Sequence, residues 1–169
     1  NMSKPVGSVA RPDVVSMTTA ANIRFPQDKM KANTLRRWMN IWPPLLFAGV
    51  RVKSISPDFS EAVVQLRDRK VNMNYVGVHF GGAIFSMTDP FHMLLAMNRL
   101  GRGYVVWDKS AQIDYLKPGK GTLTAHFRVT DAMMDDVRAN TPNDGDKYLP
   151  TWDVDVIDEL GVTVARVRK

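Results

Sequence analysis

The stretch Ala83-Ile-Phe-Ser-Met-Thr-Asp-Pro-Phe-His-Met-Leu-Leu-Ala-Met-Asn-Arg-Leu100 decides the fold. Ala83, Ile84, Phe85, Met87, Phe91, Met93, Leu94, Leu95, Ala96 and Met97 occupy every side of a helix about five turns long. A helix with one apolar stripe lies on a surface, whereas one that is apolar all round must be enclosed. The flanking sequence supplies the enclosure. Strand-like runs with Val, Ile and Leu at alternate positions precede it at 50–55 and 62–66. Four more follow at 104–116, 121–131, 152–156 and 162–167. Pro118-Gly119-Lys120-Gly121 and Asp158-Glu159-Leu160-Gly161 provide tight connections, and 140–146 is a polar loop. The order β-β-α-β-β-β-β predicts an α+β domain, a curled six-stranded antiparallel sheet wrapped around one long central helix.

Upstream, Met30, Leu35, Trp38, Met39 and Trp42 recur at helical spacing, and Pro43–Pro44 end the pattern. The chain therefore divides into a tail at 1–26, an N-terminal amphipathic helix with a Pro-Pro connector at 27–47, and the sheet-and-helix domain at 48–169. Asn1 precedes Met2 and is left out of the reading.

Composition removes whole classes of function. The 169 residues include no Cys and three His, which excludes disulfides, thiolate zinc sites and cysteine nucleophiles and makes a metal site unexpected. The longest apolar run, 45–50, is far shorter than the roughly 18 residues of a membrane span, and no signal-peptide pattern opens the chain. The expected compartment is the cytoplasm. Lys plus Arg number 23 against 17 Asp plus Glu, a net charge of +6, but the bases are dispersed and no aromatic-and-basic motif accompanies them. No nucleic-acid partner is expected. A modest basic excess suits a small ligand carrying several phosphates.

Within the central helix two local rules break in adjacent residues. Asp89 puts a carboxylate where burial is expected, and Pro90 deletes the bond to the Ser86 carbonyl. Paired breaks of this kind mark functional sites, although Asp89 could also cap a second helical segment starting at Pro90. His92, three residues on, is placed to pair with Asp89.

The run Asn74-Tyr-Val-Gly-Val-His-Phe-Gly-Gly-Ala-Ile-Phe-Ser-Met-Thr-Asp89 resembles the signature of phenylacetyl-CoA-type hot-dog thioesterases, an Asn, then His-Gly-Gly, then Leu-Ala-Asp. The Asp stands fifteen residues after the Asn and eight after the first Gly, as in that family. Residues 113–119 resemble the family's third strand, and the Trp-Pro-Pro lead-in resembles a bacterial branch described as tetrameric acyl-CoA thioesterases. Two positions depart: Phe80 stands where the family has His, and Asp108 stands where one group has a water-positioning Ser.

The resemblance implies hydrolysis of an acyl-CoA, with no cofactor beyond the coenzyme A of the substrate. Asp89 is the implied general base or nucleophile, Gly81 and Gly82 the oxyanion donors, and Asn74 a brace for loop or water. Asp108 would orient water or pair with Lys109 or Arg102. His79 and Phe80 would border the thioester, and Lys117, Lys120 and Arg128 are candidates for the coenzyme A phosphates. Eight residues of helix rise about 12 Å, so Gly81 and Asp89 of one chain cannot meet one carbonyl. The site is thus expected to be composite, in a homodimer whose pairs combine as a dimer of dimers in the family branch. Two rivals remain: a hot-dog hydratase, opposed by Met93 where that chemistry needs an acid, and an acyl-CoA-binding protein without activity.

Overall fold

The computed structural model describes residues 30–169, so the expected tail at 1–26 lies outside the described residues. Among these residues six strands form one antiparallel sheet in the order β1-β2-β4-β5-β6-β3. They are β1 Val50–Ile55, β2 Glu61–Leu66, β3 Gln112–Tyr115, β4 Leu123–Arg128, β5 Asp153–Ile157 and β6 Thr163–Arg168. Period-two alternation sets the inner face: Ala62, Val64 and Leu66 of β2 pair with Phe127, Ala125 and Leu123 of β4, and all six are buried. Their neighbours Val63, Gln65, Thr124 and His126 face outward.

The sheet curls around helix, as the apolar run at 83–100 requires. The expected single helix is two, however: α3 Gly81–Ser86 and α4 Phe91–Leu100. Pro90 has no N–H to offer the Ser86 carbonyl, which accepts instead from Asp89 N at 3.3 Å, and the helix is interrupted there. Thr88 Oγ1 caps the Phe85 carbonyl at 2.8 Å. On α4, Phe91, His92, Leu95 and Ala96 are buried, and the Phe91 and Phe127 rings lie 5.1 Å apart, locking α4 to β4.

Three further expectations are corrected. The strand read over 104–116 is regular only at Gln112–Tyr115, because its upstream half has no pairing partner among the described strands. The N-terminal helix is confined to α1 Ala32–Met39, and Pro43 opens a second short helix, α2 Pro43–Ala48, with proline at its first turn. The strand read to residue 131 ends at Arg128 and is followed by an unforeseen helix, α5 Asp131–Ala139. Its cap is local: Thr130 Oγ1 accepts from Met133 N at 3.2 Å, Asp131 sits in the first turn and Arg138 in the last. Among the described residues no helix is long and apolar enough to cross a membrane.

The link from α1 to the sheet is a side chain. Asn40, at the end of α1, donates from Nδ2 to the Val52 carbonyl at 3.0 Å and accepts the Val52 N–H on Oδ1 at 2.8 Å. Its amide stands in for a residue of a neighbouring strand. Asn40→Ala removes both bonds and is expected to lower stability by about 2 kcal/mol in chemical denaturation without changing the denaturant slope.

Candidate active site

The loop preceding α3 is held from within by Asn74. Its Oδ1 accepts from Val76 N at 3.1 Å and Val78 N at 3.2 Å, and its own N–H donates to the Val78 carbonyl at 2.7 Å. Of the two roles foreseen for Asn74, these bonds serve the bracing of the loop. His79 then ties the loop to the turn before β4. Its backbone N–H donates to the Gly119 carbonyl at 3.0 Å and its Nε2–H to the Gly121 carbonyl at 2.6 Å. Only 2% of His79 is exposed, so its ring is a clamp in this chain and does not border an open cleft as the sequence led us to expect. Lys120 lies between the two clamped glycines and is exposed.

Gly81 and Gly82 begin α3, and their N–H groups have no acceptor among the described residues, since the first helical bonds run from Ala83 and Ile84 to the Phe80 carbonyl. Two aromatic rings crowd them. Tyr115 Oη donates to the Gly81 carbonyl at 2.9 Å, and a Cβ on Gly81 would stand 2.9 Å from that oxygen. Partial burial raises the Tyr115 phenol above its ordinary range, which keeps it a donor. A Cβ on Gly82 would meet the Phe80 ring at 2.3 Å, and Phe80 itself is exposed. Beside them Phe47, Ala48, Asn72, Ala83 and Ser86 line a pocket of 310 Å³.

Asp89 differs from expectation in its surroundings. Its side chain is 66% exposed, and its partner is Lys169, whose Nζ donates to Oδ1 at 2.9 Å and also to the Asp89 carbonyl. The same Nζ donates to Asp108 Oδ2 at 2.8 Å. The Asp108 side chain is 30% exposed, and its ion pair is with Lys169 instead of Lys109. Two carboxylates 19 residues apart in sequence therefore converge on one buried ammonium, and the cluster carries one net negative charge. Lys169 escaped the sequence reading because it lies 80 residues from Asp89 in no motif.

His92 does not pair with Asp89. It is buried against the edges of Phe127, at 5.1 Å, and Trp152, at 5.7 Å, and its Nδ1 has no hydrogen-bond partner among the described residues. Burial first, then the nearby Lys169 charge, push it down to about 4, so the ring is neutral at pH 7. Met87 and Phe91 are fully enclosed in the core. Of the bases assigned to phosphates, Lys117 precedes the turn that holds His79, Lys120 lies within it, and both are exposed. Arg128 is at the far end of β4, ion-paired to Glu61 at 2.9 Å, so it is not grouped with them. Among the described residues no group of His, Asp and Glu could hold a metal ion.

Comparison with known proteins bears on the whole domain. The family described as a domain of unknown function (DUF4442) matches residues 31–169. No curated protein matches the sequence. A Pseudomonas aeruginosa protein of unknown function, described as a probable thioesterase, superposes with a TM-score of 0.63 at 17% identity over 79% of this chain and 88% of that one. A Haemophilus influenzae thioesterase gives 0.60 at 14% over 84% and 89%. A mutant of the phenylacetic acid degradation protein PaaI from Thermus thermophilus gives 0.51 at 24% over 75% and 94%. At these identities the likeness establishes the hot-dog fold.

The depressed basicity of His92 makes stability depend on pH. Between the ordinary value of 6.5 and about 4, the unfolded chain takes up a proton that the folded chain refuses, so stability falls as pH falls through this window. At pH 4 the loss from this residue is about 3 kcal/mol relative to pH 7.5. Urea denaturation of His92→Leu at both pH values should give a correspondingly smaller difference than the unsubstituted protein. Equal differences in the two proteins would refute the assignment.

Proposed function

The chain belongs to the DUF4442 family, and on that premise we propose that it is an acyl-CoA thioesterase, hydrolysing the bond between an acyl group and coenzyme A. The observation that carries the reading is the convergence of Asp89 and Asp108 on Lys169 at the interruption between α3 and α4. A carboxylate with one oxygen held at 2.9 Å and the other uncommitted suits a general base.

In this reading Asp89 Oδ2 takes a proton from water as the water oxygen bonds to the thioester carbon. The carbonyl pair moves onto oxygen, where the Gly81 and Gly82 N–H groups of the partner protomer receive it. The tetrahedral intermediate collapses by breaking the carbon–sulfur bond. The departing thiolate recovers the proton from Asp89, leaving carboxylic acid and thiol. Asn74 acts by bracing the loop, and Asp108 by orienting the water. Lys117 and Lys120 receive coenzyme A phosphates, which leaves Arg128 to its pair with Glu61. The protein works as a homodimer, with pairs of dimers assembling further.

A second reading, an acyl-CoA-binding protein without turnover, draws on Phe80, whose ring lies against Gly82 where the related signature has His. An acyl-CoA series with thiol detection separates the two: free thiol supports hydrolysis, and tight binding without thiol release supports the alternative. Reversible loss of enoyl-CoA absorbance would instead indicate a hydratase.

Asp89→Asn should lower kcat about a thousandfold while stability stays within about 1 kcal/mol, because the amide oxygen still accepts from Lys169. Turnover at the original rate would make Asp89 structural. The composite site has its own test. Asp89→Asn and Gly81→Val, each inactive alone, should recover about a quarter of full activity when their subunits are mixed, since half the dimers are then mixed and each holds one intact site. No recovery in mixed dimers would place base and oxyanion donors in one chain.

A further inference from the structure

Along β6, Arg166 and Arg168 point outward and pair with Asp155 at 2.6 Å and Asp153 at 3.1 Å on the neighbouring strand. Lys169 turns the other way. Its backbone is fixed by two bonds with Trp152, N to carbonyl at 2.8 Å and the reverse at 2.7 Å. Its side chain is 2% exposed, and the Phe85 ring centroid lies 6.0 Å from Nζ. A buried ammonium is tolerated only when its charge is matched and its hydrogens are accepted. Here both conditions hold. An ammonium has three N–H donors, and three oxygens receive them: the Asp89 carbonyl, Asp89 Oδ1 and Asp108 Oδ2.

That saturation limits what Lys169 can do. With every N–H committed and the side chain enclosed, it has nothing left to offer a substrate. What it determines is the placement of others. By taking one oxygen of each carboxylate it leaves Asp89 Oδ2 and Asp108 Oδ1 without a partner among the described residues, and it ties both side chains to a single point. By holding the Asp89 carbonyl as well, it fixes the main chain where Pro90 interrupts the helix.

We propose that Lys169 is the positioning residue of the hydrolytic site, holding Asp89 and Asp108 so that their two uncommitted oxygens address one water molecule. This rests on the thioesterase reading above. Loss of the ammonium then acts on the chemical step and not on substrate binding, and Asp108 acts through Lys169, which also holds Asp89.

The test is steady-state hydrolysis of acyl-CoA by the full chain and by Lys169→Met, Lys169→Arg, Asp108→Asn and the Lys169→Met/Asp108→Asn double variant. The expected result is a fall in kcat of about a hundredfold for Lys169→Met with KM within threefold, partial recovery in Lys169→Arg, and a double variant no worse than Lys169→Met. An active parent with kcat for Lys169→Met within threefold overturns the proposal and leaves the thioesterase reading standing, as does a double variant in which the two losses multiply. An inactive parent overturns the reading and the proposal with it. If Lys169→Met lacks a cooperative thermal transition, the double variant, which keeps the cluster's net charge, is compared with Asp108→Asn. A further tenfold loss of kcat then supports the proposal, and equal rates overturn it.

Discussion

One ammonium ion without access to water organises the part of this protein where chemistry is proposed. An enclosed positive charge is costly unless oxygens surround it, and the chain meets that demand by bringing together Asp89 from the helix interruption, Asp108 from the irregular segment before β3, and Lys169 from the end of β6. These segments share no strand pairing with one another beyond the join of β3 to β6. The charge cluster therefore ties down the main chain at the break that Pro90 makes, while the apolar faces of β2, β4 and α4 set the core on which it rests.

The core was legible because it depends on local periodicity. The all-round apolar run at 83–100 required enclosure, and alternation in the strands said which faces would enclose it. What escaped was of two kinds. α5 has a readable cap at Thr130 and buried residues at Met134 and Val137, but the strand pattern before it was carried through to residue 131, over that cap. The helix break was foreseen at Pro90 as a cost, yet its size was not, since only tertiary contacts decide whether a proline kinks a helix or divides it.

At the site the division between local and long-range signals is sharper. Asn74, Gly81, Gly82 and Asp89 stand within sixteen consecutive residues, so their spacing could be read directly. Lys169 is joined to Asp89 across 80 residues and to Asp108 across 61, and no pattern in one sequence encodes such a pairing. The same holds for His79, whose clamp on Gly121 spans 42 residues and turns a candidate ligand-facing ring into an internal brace. His92 was expected to find a carboxylate one turn away, but Lys169 had already claimed it.

The side-chain clamp of Asn40 on Val52 has a consequence for the margins of the sheet. A peripheral strand offers a row of vacant amide and carbonyl groups that another chain can occupy, and proteins guard against it. Here β1 has that invitation withdrawn at its third residue by an amide at the end of α1, while β3 on the opposite side is four residues long. Extension from one flank is obstructed and from the other is brief, which disfavours runaway fibrillar stacking.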